Sequence, residues 1–350
     1  MSSPAFGPTL ETTEFINLGV DAANPRDCWM IGVPGASHYA VPPEHLLPEI
    51  AELVSRLKLE TLRENQSDFA HRSPGGAYRV KKVFTAAGSE ILFLRRISGI
   101  LPSFRNSEFS FPPWLAGLLR QVGKESGIIL FTGVHSAGKT TSAVATYLDQ
   151  IAFRGGVGVA VEDPVEYNLN LSMENGRSVQ FDVAGHPRGA EAGYAETCQS
   201  AFRMFSTLGY IGEIRSAEVC CEALRFAGGA FTVVTTTHAN GPLASIRRLT
   251  DMASVQYGIQ GAHVAVGNTL LAIVTQELSG NPRSPMFKPL FIKAVGGIVS
   301  AEEEAAMRNN IRTGAVGSLQ NDIVRQEIRL RELSTQFAGN RRREGQAARC

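Results

Sequence analysis

The period of the apolar positions changes along this chain. From Leu47 onward, Ile50, Leu53, Val54, Leu57 and Leu62 recur at three, four or more residues with Glu and Arg between them, which predicts an amphipathic helix. Two strand-like runs follow, Tyr78–Phe84 and Glu90–Ile97, with SPGG before the first and TAAG between them as turn signals. Upstream of Leu47 the chain is rich in Pro and Gly with little periodicity, so residues 1–46 are expected to be a loose start. Pro112–Pro113 within SEFSFPPW can neither continue a helix nor join a central strand, so a linker is expected over 107–114.

Strand and helix signals then alternate. Ile128–Thr132 is a short apolar run, and a helical pattern starts inside the following Gly-containing loop and continues to about Phe153. Val157–Glu162, Thr207–Gly212 and Phe231–Thr236 are further strand candidates, and Gly228–Gly229 closes a helix over Ser216–Ala227. Strands alternating with helices of this length predict βαβ units and a mostly parallel sheet. Residues 170–194 read as a long excursion, and the pattern beyond 257 reads as mostly helical. Val316, Leu319, Ile323, Leu330 and Leu333 mark a final amphipathic helix, followed from Gln336 by a basic tail expected to be mobile. The expected layout is therefore a loose segment over 1–46 and an α+β domain over 47–106. After the linker come a larger α/β domain over 115–335 and a tail over 336–350.

Composition narrows the classes. With 350 residues, 43% of them hydrophobic, the chain can bury one large core or two ordinary ones. No apolar run approaches the length of about 20 residues that spans a membrane, and no secretory leader is expected from the first residues. The five cysteines form no CxxC pair, which suits a reducing compartment and argues against structural zinc. A net charge of +1 supplies no global field for nucleic acid.

The chemistry concentrates at Gly133–Thr140, whose sequence GVHSAGKT fits the phosphate-loop pattern G-x-x-x-x-G-K-[ST]. Gly133, Ser136, Ala137 and Gly138 form the turn that aims backbone N–H groups at a β-phosphate. Lys139 adds a point charge, and Thr140 can ligate Mg²⁺. An apolar strand before the loop and a helix after it provide the context that this motif requires. The expected ligands are thus ATP and Mg²⁺. Acids follow two later strands: Glu162, Asp163 and Glu166 after the first, Glu213 after the second. Glu213 can orient and deprotonate an attacking water, while one acid of the first cluster supports Mg²⁺ through its waters. His238 ends the next strand; a structural histidine and a γ-phosphate sensor both remain open there.

The motif order resembles the secretion and type IV pilus traffic ATPases. GVHSAGKTT, which includes Thr141, is similar to their Walker A loop, EDPVE (Glu162–Glu166) to their acidic box, GEIR (Gly212–Arg215) to Walker B, and TTTHANGPLASIRRL (Thr235–Leu249) to their histidine box. SPGGAYRVKKVF and LFLRRIS resemble the strands that carry the family's arginines, and map them to Arg79 and Arg95. The resemblance covers about residues 66–315. It implies a RecA-like P-loop NTPase motor domain behind a smaller α+β N-terminal domain, assembled as a homo-hexamer. It also implies Glu213 as the catalytic carboxylate, His238 as the sensor, and Arg79, Arg95 and Arg248 as charge-neutralising fingers. Partners would be inner-membrane secretion or pilus platform proteins, with the ring peripheral at the cytoplasmic face. The absence of paired cysteines leaves the pilus-retraction group and the ATPases of conjugative and Dot/Icm-type type IV secretion; HANGP followed by SIRRL looks closer to the latter.

Four departures bear on rate and assembly. Ser136 and Ala137 stand where the family has Gly and Ser, Ser216 where it has Asp, Ile97-Ser98 where it has Ile-Pro, and Gly209 interrupts the Walker B strand. They motivate a second reading, a nucleotide-binding structural subunit with little hydrolysis. A third is a RecA-like nucleic-acid translocase, against which stand the near-neutral charge and the lack of interleaved aromatic and basic residues; strong nucleic-acid binding is not expected.

Overall fold

The structure, a computed structural model, describes residues 9–36, 39–64, 68–73, 76–97, 101–104, 111–184, 186–204, 206–279 and 284–347. The chain divides into two compact units. The smaller comprises Met1–Leu101 with Glu162–Asn168 and Asp182–Ala190, and the larger comprises the rest.

The smaller unit is an antiparallel sheet covered by one helix. Its elements are β1 (Asn17–Asp21), β2 (Cys28–Ile31), α1 (Leu47–Glu64), β3 (Asp68–Ser73), β4 (Gly76–Phe84) and β5 (Glu90–Arg96), in sheet order β2-β1-β5-β4-β3. Period-2 alternation buries Leu18, Val20, Met30, Tyr78, Val80, Leu92 and Leu94, which cluster with Ile50, Leu53, Val54 and Leu57 of α1. Each such side chain, fully buried, contributes roughly 1.5–3 kcal/mol.

Residues 9–46 are therefore not loose. Leu10, Phe15, Leu18, Val20 and Met30 belong to this core. Arg96 fixes the entry segment: its guanidinium donates to the carbonyls of Leu10, Glu11 and Thr13 and lies 4.7 Å from the Phe15 ring centroid. The strands β1 and β2 are too short to display a period, and most of the Pro and Gly residues of 9–46 fall in the stretch that follows β2.

In the larger unit, α2 (Pro113–Val122), β6 (Gly127–Thr132), α3 (Lys139–Arg154) and β7 (Gly156–Glu162) come first. A hairpin of β8 (Leu171–Met173) and β9 (Gly176–Asp182) follows, then α4 (Ala190–Arg203), β10 (Leu208–Ile211), α5 (Ala217–Gly228), β11 (Thr232–Thr237) and α6 (Pro242–Thr269). The chain ends with β12 (Leu270–Ser279), β13 (Ser284–Phe291), α7 (Ala301–Arg312) and α8 (Gln320–Ala347). The eight strands lie in the order β13-β12-β6-β11-β10-β7-β9-β8. From β12 to β7 all pairings are parallel, and β13 closes one edge antiparallel. β6, β10 and β11 are buried along their whole length, as strands covered on both faces must be.

Four expectations are corrected. Phe111 is buried and Pro113 opens α2, because the N–H that proline lacks is one that a helix leaves unpaired at its first turn; the rest of the expected linker, 107–110, lies outside the described residues. The excursion over 170–194 contains the β8–β9 hairpin, turned at Glu174–Asn175. The stretch beyond 257 contains β12 and β13, whose apolar run Leu270–Val274 fits a buried strand as well as a helix. The expected mobile tail continues α8 as helical backbone to Ala347, and residues 348–350 lie outside the described ones.

Gly209 packs closely: a Cβ there would come within 2.3 Å of the Phe226 ring on α5. The buried thiols of Cys28, Cys198, Cys220 and Cys221 are unpaired, and burial pushes Cys198 and Cys220 up to about 12.

One ion cluster ties α7 to α8. Ser300 and Glu303 form a capping box at the start of α7, and the Glu303 carboxylate receives both Arg329 nitrogens at 2.8 and 3.0 Å and Arg325 at 2.8 Å. Arg329, the Ser300 amide and Arg325 together hold this carboxyl down at about 2, from an ordinary value of 4.5. A depressed carboxyl contributes stability that is present above 4.5 and lost as pH falls toward 2. Glu303→Gln is expected to lower the melting temperature at neutral pH. It should also flatten the acid loss over that window relative to the parent, as read by calorimetry across pH.

Candidate active site

Because β6, β10 and β11 run parallel, their C-terminal ends emerge at one edge of the sheet, and the loops that follow them meet there. The loop after β6 is built from backbone that few residues tolerate. Gly133 lies at φ 147° with its Cα against the Gln276 carbonyl of β12, where an added Cβ would sit 2.2 Å from that oxygen. Gly138 has φ 82° and caps the N-terminus of α3. Ser136, exposed, also has positive φ, 58°, a conformation that costs a non-glycine residue about 1 kcal/mol. Ala137 is buried, and Thr140 and Thr141 follow on the first turn of α3, half-buried.

Lys139 is 6% exposed, and its ammonium donates to the Val134 carbonyl at 2.8 Å and to His238 Nδ1 at 3.2 Å. Since an ammonium only donates, Nδ1 accepts, and the ring proton sits on Nε2. That nitrogen lies 3.3 Å from Glu213 Oε1. Lys139, His238 and Glu213 thus form one line of polar contacts, a hydrogen bond from lysine to imidazole and a charge contact from imidazole to carboxylate, across the ends of β6, β11 and β10. His135, from within the loop, stacks on His238 at 5.7 Å between centroids. Burial, then the Lys139 charge, push His238 below its ordinary value, with His135 acting the same way and Glu213 opposing. The ring is therefore neutral at pH 7.

The residue after GEIR also has a definite place. The Ser216 hydroxyl accepts from the Val219 N–H at 3.4 Å and caps α5, three residues after Glu213. Arg248, near the start of α6, donates from Nε to the Thr237 hydroxyl at 3.2 Å. A cavity of about 280 Å³ opens beside the first residues of the loop, lined by Gly133, Val134, Asn240, Gly241, Thr275 and Lys288 among others.

The remaining expected residues gather in the smaller unit. Arg79 on β4 and Arg95 on β5 are directly opposite in the ladder, and both line a cleft of about 300 Å³ with Phe15, Ile16, Ile97 and Glu166. Arg79 Nη1 lies 3.8 Å from the Glu166 carboxylate. Glu162 is buried and accepts from the Glu166 N–H at 3.4 Å, with Asp163 between them in the same turn. Like charges directly opposite in a sheet destabilise it, so this pair marks a place suited to an anion.

Sequence reasoning passed over His135 and Gln276. His135 occupies a variable position of the loop motif and has no signal of its own. Gln276 belongs to β12, whose apolar run fits a helix as well as a strand.

Among described residues no group of three or more His, Cys, Asp or Glu side chains could by itself hold a metal ion. The Thr140 hydroxyl at the loop is a hard oxygen of the kind that suits Mg²⁺.

A parallel α/β sheet with a phosphate loop leading into α3, and a carboxylate and a histidine at neighbouring strand ends, defines a P-loop NTPase fold. Residues 78–314 match the type II/IV secretion system protein family, and the chain belongs to that family. It is 28% identical over 165 residues to type II secretion system protein E of Klebsiella pneumoniae, covering 46% of this chain and 30% of that protein. To the type IV pilus retractation ATPase PilT of Pseudomonas aeruginosa it is 27% identical over 205 residues, covering 56% and 53%. The chain thus spans about half or less of the length of these relatives. Among solved structures, the Legionella pneumophila ATPase DotB superimposes with a TM-score of 0.68 at 18% identity, covering 95% of this chain and 93% of that one. The pilus retraction motor PilT with bound ADP gives 0.67 at 20%, covering 88% and 85%.

Two outcomes follow from this geometry. Ser136→Gly should raise the melting temperature by relieving the positive φ; an unchanged or lower value would show that the loop carries no strain there. In a proton-detected NMR titration, His238 should titrate below the ordinary histidine range. Its midpoint should fall further in Glu213→Gln, which loses a favourable charge, and rise in Lys139→Ala, which loses a repulsive one.

Proposed function

We propose that this chain is an ATP-hydrolysing ring motor of a type IV secretion, conjugation or type IV pilus apparatus. The observation that carries this reading is the Lys139–His238–Glu213 line lying across the mouth of the phosphate loop. Backbone N–H groups of Gly133–Gly138 and the N-terminus of α3 would take the β-phosphate. Lys139 would pivot from its carbonyl and imidazole partners onto the phosphates. Glu213 would hold the attacking water and take its proton, while neutral His238, 3.3 Å from Glu213, would turn Nε2–H toward the γ-phosphate. Thr140 would hold Mg²⁺, which when bound neutralises charge on the phosphate oxygens. Arg79 and Arg95, supplied by a neighbouring subunit of a homo-hexamer, would neutralise charge as the γ-phosphate leaves. Arg248 would complete the set from behind the sensor strand.

Family membership supports a place beside an inner-membrane platform on the cytoplasmic side. Among described residues no helix is long and apolar enough to cross a membrane. A second reading, a structural subunit that binds ATP and barely turns it over, is favoured by the strained Ser136.

Steady-state phosphate release separates the two. Lys139→Ala is expected to abolish nucleotide binding in a folded protein. Glu213→Gln should keep ATP affinity and lose about 10²–10⁴-fold in kcat, the usual weight of a general base. Wild-type release equal to that of Glu213→Gln, in a preparation that binds ATP, overturns the motor reading. Mixing Arg79→Ala with Glu213→Gln subunits should restore part of the activity, because some interfaces then hold an intact site; no recovery in any mixture argues against arginines acting in trans.

A further inference from the structure

The β10–β11 ladder ends at Ile211 opposite Thr235, yet the two chains do not separate there. The Thr236 hydroxyl donates to the Gly212 carbonyl at 2.8 Å, and the Thr237 hydroxyl donates to the Ile214 carbonyl at 3.0 Å. The Ile214 N–H returns a bond to the Thr236 carbonyl at 2.8 Å. Both residues that flank Glu213 are thus held by consecutive side chains of one strand, whose next residue is His238. The two threonines are 3% and 0% exposed, so water cannot substitute for either hydroxyl. On a strand, consecutive side chains point to opposite faces, so the loop is gripped from both sides.

The Thr237 hydroxyl has one proton and can also accept. Arg248 Nε fills the accepting role at 3.2 Å, which leaves the proton for Ile214. On the neighbouring strand Thr132 repeats the device. Its hydroxyl donates to the Ala239 carbonyl, just past His238, at 3.0 Å and accepts from Ser245 at 3.0 Å.

Resting on the motor reading above, we infer that Thr236 and Thr237 are positioning residues for Glu213. They hold its backbone at a fixed distance from His238, with Arg248 setting the Thr237 rotor. Hydroxyls serve here because the loop has left the ladder while its carboxylate must stay in line with the histidine. Neither threonine touches the reacting atoms. Their effect passes through the placement of Glu213, where an error near 1 Å can cost about 10²-fold in rate.

The test uses the full-length chain under its assembling conditions. Thr236→Val and Thr237→Val keep shape and remove the hydroxyl, and each should lower kcat by about 10-fold or more while KM for ATP moves less than about 3-fold. Thr237→Ser restores the hydroxyl and should return kcat to near the parent value. In a Glu213→Gln background, Thr237→Val should add almost nothing, because the group it positions is already disabled. Valine variants with parental kcat overturn the inference. So does a loss of ATP affinity in step with kcat that serine does not rescue, since that is a general packing defect. An equal further loss in the Glu213→Gln background also overturns it. A parent chain that binds ATP without hydrolysing it overturns instead the motor reading on which the inference rests, and it is seen before any variant is made.

Discussion

Parallel register in the larger sheet is the constraint from which the site follows. β6, β11 and β10 run side by side in one direction, so the phosphate loop, His238 and Glu213 all leave the sheet at the same edge. Were one strand antiparallel, its functional residue would sit a strand's length away, and no side chain could bridge the gap. The register adds a second restriction at β12, whose Gln276 carbonyl lies where a side chain at Gly133 would have to go. The loop is thus shaped from below by a neighbouring strand as much as by its own glycines.

Much of this was legible in the sequence because the chemistry there has a fixed spacing. The phosphate loop needs a strand before it and a helix after it, and β6 and α3 occupy those places. Strand-final acids and the histidine could be named because parallel strands deliver their ends together. What was missed lacked a local signal. β1 and β2 are five and four residues long, and their burial against α1 depends on partners far along the chain. β12 reads equally as helix or strand until its pairing with β6 decides. His135 matters only through a ring stacked on it from another loop. The run Thr235–Thr237 was visible as strand, but composition does not say which carbonyls its hydroxyls reach.

Electrostatics and hydrogen bonding share the work at the sheet edge in a particular way. A lysine that is almost wholly buried needs acceptors, and it finds a backbone carbonyl and an imidazole. The imidazole can serve only while neutral, and its burial beside a cation keeps it so. The carboxylate at the other end prefers the N–H that the same tautomer offers. The lysine charge thus helps to keep the histidine neutral, and the neutral histidine turns an N–H toward the carboxylate.

The facing pair Arg79 and Arg95 has a consequence for how the smaller unit senses its surroundings. Two guanidiniums opposite one another repel, and among the described residues that line the cleft beside them Glu166 is the carboxylate. A polyvalent anion seated there relieves repulsion that the unfolded chain does not suffer, so it binds the folded form preferentially. Where such an anion binds, folding and occupancy are thermodynamically linked, so the folded form gains stability with its concentration.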